Sequence, residues 1–136
     1  MRVLAALVLL TLQAAALPAK PTWIVGTWFG QGQPNDRSEM WIARMGADGS
    51  FHAQFRACRK GKATDAINDG TWSIAGDLET IQVQLANGQF LPRTDMYQIL
   101  AHDQKSQTYK YLATGFVYKS GRVDAKFQMP PCDLVS

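Results

Sequence analysis

The chain has 136 residues and a mass of 15.1 kDa, with 46% hydrophobic and 18% charged residues. That length supplies one domain, and that balance supports a packed core and excludes a mainly disordered chain. The net charge is +3 and the longest basic run is Arg59-Lys60-Gly61-Lys62, too little for the phosphate-tracking stripe of a nucleic-acid binder, so no nucleic-acid partner is expected.

The chain opens on the positive pair Met1-Arg2, followed by an apolar run over residues 3–12 broken only by Thr11, and then by small residues at Ala14, Ala15, Ala16 and Ala19. This is the order of an export signal. Residues 1–19 are therefore expected to be a signal peptide, with cleavage after Ala19 preferred over cleavage after Ala16, and 20–136 a single β-barrel domain. The apolar run is too short to span a bilayer and no second one follows, so the mature protein should be periplasmic or secreted, without a membrane span. Export gives meaning to the pair Cys58 and Cys132, since an oxidising compartment turns an isolated pair into a disulfide. Cys132 follows Met129-Pro130-Pro131, so the bond should pin a tail that its prolines keep out of the sheet. Neither cysteine belongs to a C-x-x-C pair, which argues against redox or zinc chemistry.

From Trp23 onward no ten-residue stretch carries a helical apolar period, while period-two alternation recurs between turn signals. Strands are predicted at residues 23–29, 38–45, 50–58, 70–74, 79–85, 96–102, 108–118 and 122–129. In the third, Phe51, Ala53, Phe55 and Ala57 face one way and His52, Gln54, Arg56 and Cys58 the other. Tyr97 and Ile99, Tyr109 and Tyr111, and Val123, Ala125 and Phe127 repeat the pattern. Turn residues fall at Gly46-Ala47-Asp48-Gly49, Ala75-Gly76-Asp77, Ala86-Asn87-Gly88 and Ser120-Gly121. At Gly115 the apolar parity changes, which suggests a bulge or kink inside one long strand. Connections this short make hairpins, not parallel crossovers. The fold class is therefore all-β, an antiparallel up-and-down β-barrel of about eight strands. A two-sheet sandwich gives the same alternation; the sequential hairpins favour the barrel.

The opening Ile24-Val25-Gly26-Thr27-Trp28-Phe29-Gly30 resembles the Gly-x-Trp opening of the lipocalin and wider calycin barrels. The resemblance implies that Trp28 closes one end of the barrel with Arg122 across its ring. It departs from lipocalins in leaving no C-terminal helix after Met129. Val25-Gly26-Thr27-Trp28-Phe29 together with Gly46-Ala47-Asp48-Gly49 is also similar to the first hairpin of avidin-type barrels. Their biotin site does not carry over: Gly30 stands where that family has Asn, Phe55 where it has Tyr, and no tryptophan follows Trp72. A bacterial periplasmic inhibitor of secreted metalloproteases is a third barrel of this size, in which Lys20-Pro21-Thr22 would be the inhibitory arm.

No nucleophile with its base, metal cluster or phosphate loop is evident, so no enzyme, cofactor or metal is expected. His52 and His102 lie on the polar faces of two strands. Asp36, Asp48, Asp69, Asp77, Asp95 and Asp103 fall mostly near turns, where Asp bonds its own backbone. What remains is the inward face. Phe51, Phe55, Tyr97, Tyr109, Tyr111 and Phe127 are the expected ligand-binding residues, and intervening alanines leave the interior either hollow or filled. Trp41 should cap the barrel or meet a partner, and residues 30–37 form a polar loop suited to a gate. The favoured reading is an exported lipocalin-like barrel that binds a small hydrophobic or amphipathic molecule without catalysis. The alternative is a periplasmic interaction or inhibitor protein with a filled barrel and a protein partner. An enzyme would show itself as a cleft where carboxylates or histidines converge.

Overall fold

Short turns between alternating runs force each strand back along the one before it. In the computed structural model, which describes residues 20–33 and 36–132, the strands are β1 (Gly26–Gln33), β2 (Asp36–Met45), β3 (Ser50–Arg59), β4 (Lys62–Ala75), β5 (Leu78–Ala86), β6 (Gln89–His102), β7 (Ser106–Tyr111) and β8 (Val117–Val123). All neighbours are antiparallel. β8 returns to β1, with Val123 opposite Thr27 and Ser120 opposite Gly30, so the sheet closes into an up-and-down barrel of eight strands. Closure gives every strand a neighbour on both sides over part of its length. The turns at Lys60-Gly61 and Asn87-Gly88 hold both central residues at positive φ, which matches the twist of the strands they join. The expected signal peptide at residues 1–19 lies outside the described residues.

Several boundaries differ from those expected. β4 and β6 each run to 14 residues, because their ladders continue through segments whose apolar residues are adjacent and not alternating, Ala66-Ile67 in β4 and Phe90-Leu91-Pro92 in β6, so that period two gives no signal there. The long strand expected at 108–118 is two strands. Gly115, at φ 75°, turns the chain, and its N–H donates to the Tyr111 carbonyl at 2.7 Å. Ser120-Gly121, expected as a turn, lies inside β8.

The strand expected at 122–129 ends at Val123. Asp124 starts a turn there, accepting from the Lys126 N–H at 2.8 Å through its side chain and from the Phe127 N–H at 3.0 Å through its carbonyl. The tail then crosses the outer face of β1, β2 and β3 as a strap. Phe127 packs on Phe29 at 5.0 Å between ring centroids. Met129 joins a cluster of Met40, Phe29, Cys58 and Cys132. Arg56 donates to the Pro130 carbonyl at 3.1 Å, and the Cys58–Cys132 disulfide ties the end down, its Cα atoms 5.4 Å apart. A disulfide is consistent with an oxidising compartment. Among the described residues no helix is long and apolar enough to cross a membrane.

The end of the barrel at Gly26 is sealed by side chains. The Arg122 guanidinium lies 4.3 Å from the Trp28 ring, a cation–π distance. It donates to the carbonyls of Gln104 at 2.8 Å and Val25 at 2.7 Å, and to that of Trp23. Gly26 sits at φ 138°, and a Cβ there would collide with the guanidinium, so glycine is needed twice over. Trp28 is fully buried and donates from its indole nitrogen to the Ile24 carbonyl at 2.8 Å.

Two expectations follow for stability. Cys58→Ser should cost about 4 kcal/mol in the chain-entropy account of a long closed loop, seen as a lower urea midpoint, with the reduced wild type falling to the same value; equal midpoints in oxidising buffer would refute a stabilising bond. Arg122→Lys keeps the charge but loses the planar fork, and should lower stability by about 2 kcal/mol in the same titration.

Candidate functional site

The interior is packed at one end and hollow at the other. At the closed end Trp28, Met45, Phe51, Trp72, Ile81 and Val83 form one buried cluster with Ile24 and Ala53. Beyond it lies a cavity of about 300 Å³, which reaches the end of the barrel where Gly32, Glu39 and Phe55 stand. Small inward residues make the space: Ala43 and Ala53 on one side, Ser120 and Gly32 on the other. Gly30 makes room of another kind. A Cβ there would run into the indole of Trp41, which packs against the β1 backbone and meets Tyr118 edge to face, 5.5 Å between centroids and 89° between planes.

The opposite wall is built by strand register. Tyr97 on β6 pairs directly with Tyr111 on β7, and Tyr109 with Tyr118 on β8. Tyr97 and Tyr111 stack at 5.0 Å and 27°, while Tyr97 and Tyr109 meet edge to face at 5.6 Å and 88°. Burial first, and neighbouring carboxyl groups second, push the Tyr97 and Tyr109 hydroxyls up, so both stay protonated donors.

Polar groups interrupt this wall. Asp95 is buried, and accepts from the Arg93 Nε at 3.0 and 3.1 Å and from the Tyr111 hydroxyl at 3.0 Å. Glu79, opposite Tyr97 in the β5–β6 ladder, is only 7% exposed. It lines the cavity and makes no hydrogen bond or ion pair among the described residues. Burial pushes its carboxyl up to about 7, so near neutral pH it can hold or release a proton. Gln107 and Ser120 pair across β7 and β8, and the buried Gln107 Oε1 has no hydrogen-bond partner among the described residues.

Of the residues expected to meet a ligand, Phe51, Phe55, Tyr97, Tyr109 and Tyr111 line this cavity together. Phe127 does not. It follows the end of β8 and packs on the outside, because the chain leaves the sheet at Asp124 and the strand alternation stops with it. Trp41 faces inward, and its neighbours Met40 and Ile42 are buried on the outer face. The loop expected at 30–37 is mostly strand, since β1 extends to Gln33 and β2 begins at Asp36.

The histidines stand apart: His52 contacts Asp69 at 2.6 Å, and His102 stacks on Trp23 at 3.8 Å. Among the described residues no three His, Cys, Asp or Glu side chains are grouped to hold a metal. Asp36, Asp48 and Asp103 accept from backbone N–H groups two residues on, as turn formers do. Asp95, expected among the turn formers, is instead an interior group, and the inward place of Glu79, Arg93, Gln107 and Ser120 was likewise not anticipated from the sequence. Parity was the available signal. Glu79 shares its face with Ile81 and Val83, Asp95 with Tyr97, and Gln107 with Tyr109.

No family model, curated protein or solved structure matches the chain.

The Glu79 environment sets a pH dependence. Its carboxyl titrates at 4.5 when unperturbed, taken as the unfolded-chain value, and at about 7 when folded; in that window the folded state binds the extra proton, so stability is highest below the window and falls as pH rises through it. The loss should total about 3 kcal/mol by proton linkage. Glu79→Gln should flatten this part of the profile, measured as urea midpoints against pH, and an unchanged slope would assign the titration elsewhere.

Proposed function

We propose that the protein is an exported, noncatalytic, lipocalin-like barrel that carries a small hydrophobic or amphipathic molecule in its interior. The single observation that supports this best is the unfilled space of about 300 Å³, walled by aromatic rings with a few convergent polar groups. Sites for small molecules have this composition and about this size, roughly 300 to 1,000 Å³. The lipocalin likeness draws on the closed up-and-down barrel and on Gly26, Trp28 and Arg122 at its sealed end. Export draws on the signal-like order of residues 1–19 and on the disulfide.

Glu79 and Asp95 share the cavity, an arrangement that also bears on catalysis. Asp95 is occupied by Arg93 and Tyr111, so the two do not stand as a free carboxyl pair. A second reading, a periplasmic interaction or inhibitor protein, draws on the exposed side chains of Phe90, Leu91, Leu112, Phe116 and Val117 at the ends of the β5–β6 and β7–β8 hairpins. That reading needs no cavity.

Uptake of the neutral fluorophore N-phenyl-1-naphthylamine distinguishes the two. The wild type should bind it with a blue-shifted emission, and Ala43→Phe, which places a ring in the cavity, should weaken binding about ten-fold while the thermal transition stays cooperative. Native mass spectrometry of protein purified from its own source should show a stoichiometric small molecule. A bare mass together with absent or Ala43→Phe-insensitive uptake would overturn the carrier reading.

A further inference from the structure

We propose that the cavity selects a cationic amphiphile, with an amine or quaternary ammonium head seated at Glu79 among Tyr97, Tyr109 and Tyr111 and an apolar tail pointing to the open end. This rests on the carrier reading and narrows it to a ligand class.

Charge pairing carries the first step. The ionisable side chains along the cavity, tyrosines aside, are Glu39, Arg56, Glu79, Arg93 and Asp95. Arg56 is bound by Asp65 at 2.7 and 2.8 Å, Arg93 by Asp95 at 3.0 Å, and Glu39 lies 3.9 Å from Arg59 at the rim. Glu79 is left over. It is buried, aimed into the space and without a cation, and an unpaired buried carboxylate is costly until an opposite charge arrives. A cation entering the cavity therefore gains the attraction without having to displace an existing partner.

Hydrogen-bond capacity carries the second step. Besides Glu79, the buried Gln107 Oε1, an acceptor, has no hydrogen-bond partner among the described residues. An ammonium offers donors and no acceptor, the complement of such a wall. A carboxylate ligand would instead face Glu79 and Asp95 as like charges. The third step is the ring geometry. Tyr111 stacks on Tyr97 at 5.0 Å and Tyr109 crosses it at 5.6 Å, with Tyr97 beside Glu79 in the ladder, and aromatic faces attract cations most where water is excluded. Tyr97 lies directly across the ladder from Glu79, so carboxylate and rings converge on one volume.

The experiment is displacement of bound N-phenyl-1-naphthylamine by decylamine, decanol and decanoate, which share one tail and differ in the head, in mildly alkaline buffer where Glu79 is ionised. Decylamine should displace the probe at a concentration about ten-fold below either of the others. Glu79→Gln should erase that advantage while leaving decanol unchanged, which also shows that the variant is folded. Equal or better displacement by decanol or decanoate would overturn the cationic selection and leave the carrier reading standing. An amine advantage that survives Glu79→Gln would overturn the assignment of the site. Absence of probe uptake by the wild type would remove the carrier reading and this inference together.

Discussion

Arg122 is the residue on which the closed end of the barrel turns. It comes from the last strand, lies across the Trp28 ring of the first, and donates to backbone carbonyls of Trp23, Val25 and Gln104. β8 and β1 are the strands that must find each other last in the chain, so the contact that seals the floor also couples the two ends of the sheet. The planar fork matters because its donors reach carbonyls in different directions at once. Around it the segment before β1 settles in place: Ile24 becomes fully buried, Trp23 stacks on His102, and Lys20 sits 5.5 Å from the Trp72 ring. Without a Cβ at Gly26 there is room for all of this.

A sealed floor permits an open upper half. The large apolar side chains concentrate near Trp28, and stability from their burial is gained there, so inward positions further up can be small, polar or aromatic without loss of the fold. Gly30 and Trp41 show the consequence. A missing side chain on β1 lets an indole from β2 pack close against the backbone and meet Tyr118 edge to face. Glu79 shows the opposite tension, since a carboxyl held nearly dry with no partner opposes folding once ionised. Groups that break the local rules in this way collect at sites of function.

The outer face has its own device. Met40 and Phe29 point away from the cavity and would present apolar surface to water; the strap of Phe127, Met129 and Cys132 covers them instead. A chain that leaves the sheet at Asp124 and passes through Pro130 and Pro131 cannot add another strand, so its only route to burial is across the barrel wall. The disulfide fixes that route to β3.

The hairpins through β6, the antiparallel sheet, the pairing of the cysteines and the inward direction of Phe51, Phe55, Tyr97, Tyr109 and Tyr111 were legible in the sequence, because each follows from local alternation or from elimination; the last hairpin was misplaced, its turn lying around Gly115 and not at Ser120-Gly121. Closure was favoured by the sequential hairpins but not fixed by alternation, which a sandwich and a barrel share, and the register of β8 on β1 decides between them. Nor was the fate of the segment after Val123. Val123, Ala125, Phe127 and Met129 alternate as a strand would, yet the strand ends at Val123, and the turn at Asp124 and the bond to Cys58 carry Phe127 and Met129 onto the outer face. The polar side of the cavity was hidden for a related reason. Glu79 and Asp95 look like surface residues by type, and only neighbouring strands reveal that one has Arg93 and Tyr111 as partners while the other has none. Period and turn chemistry act over a few residues and can be read along the chain; closure, the strap and an unpaired carboxyl depend on which distant residues become neighbours, and that is decided only when the strands meet.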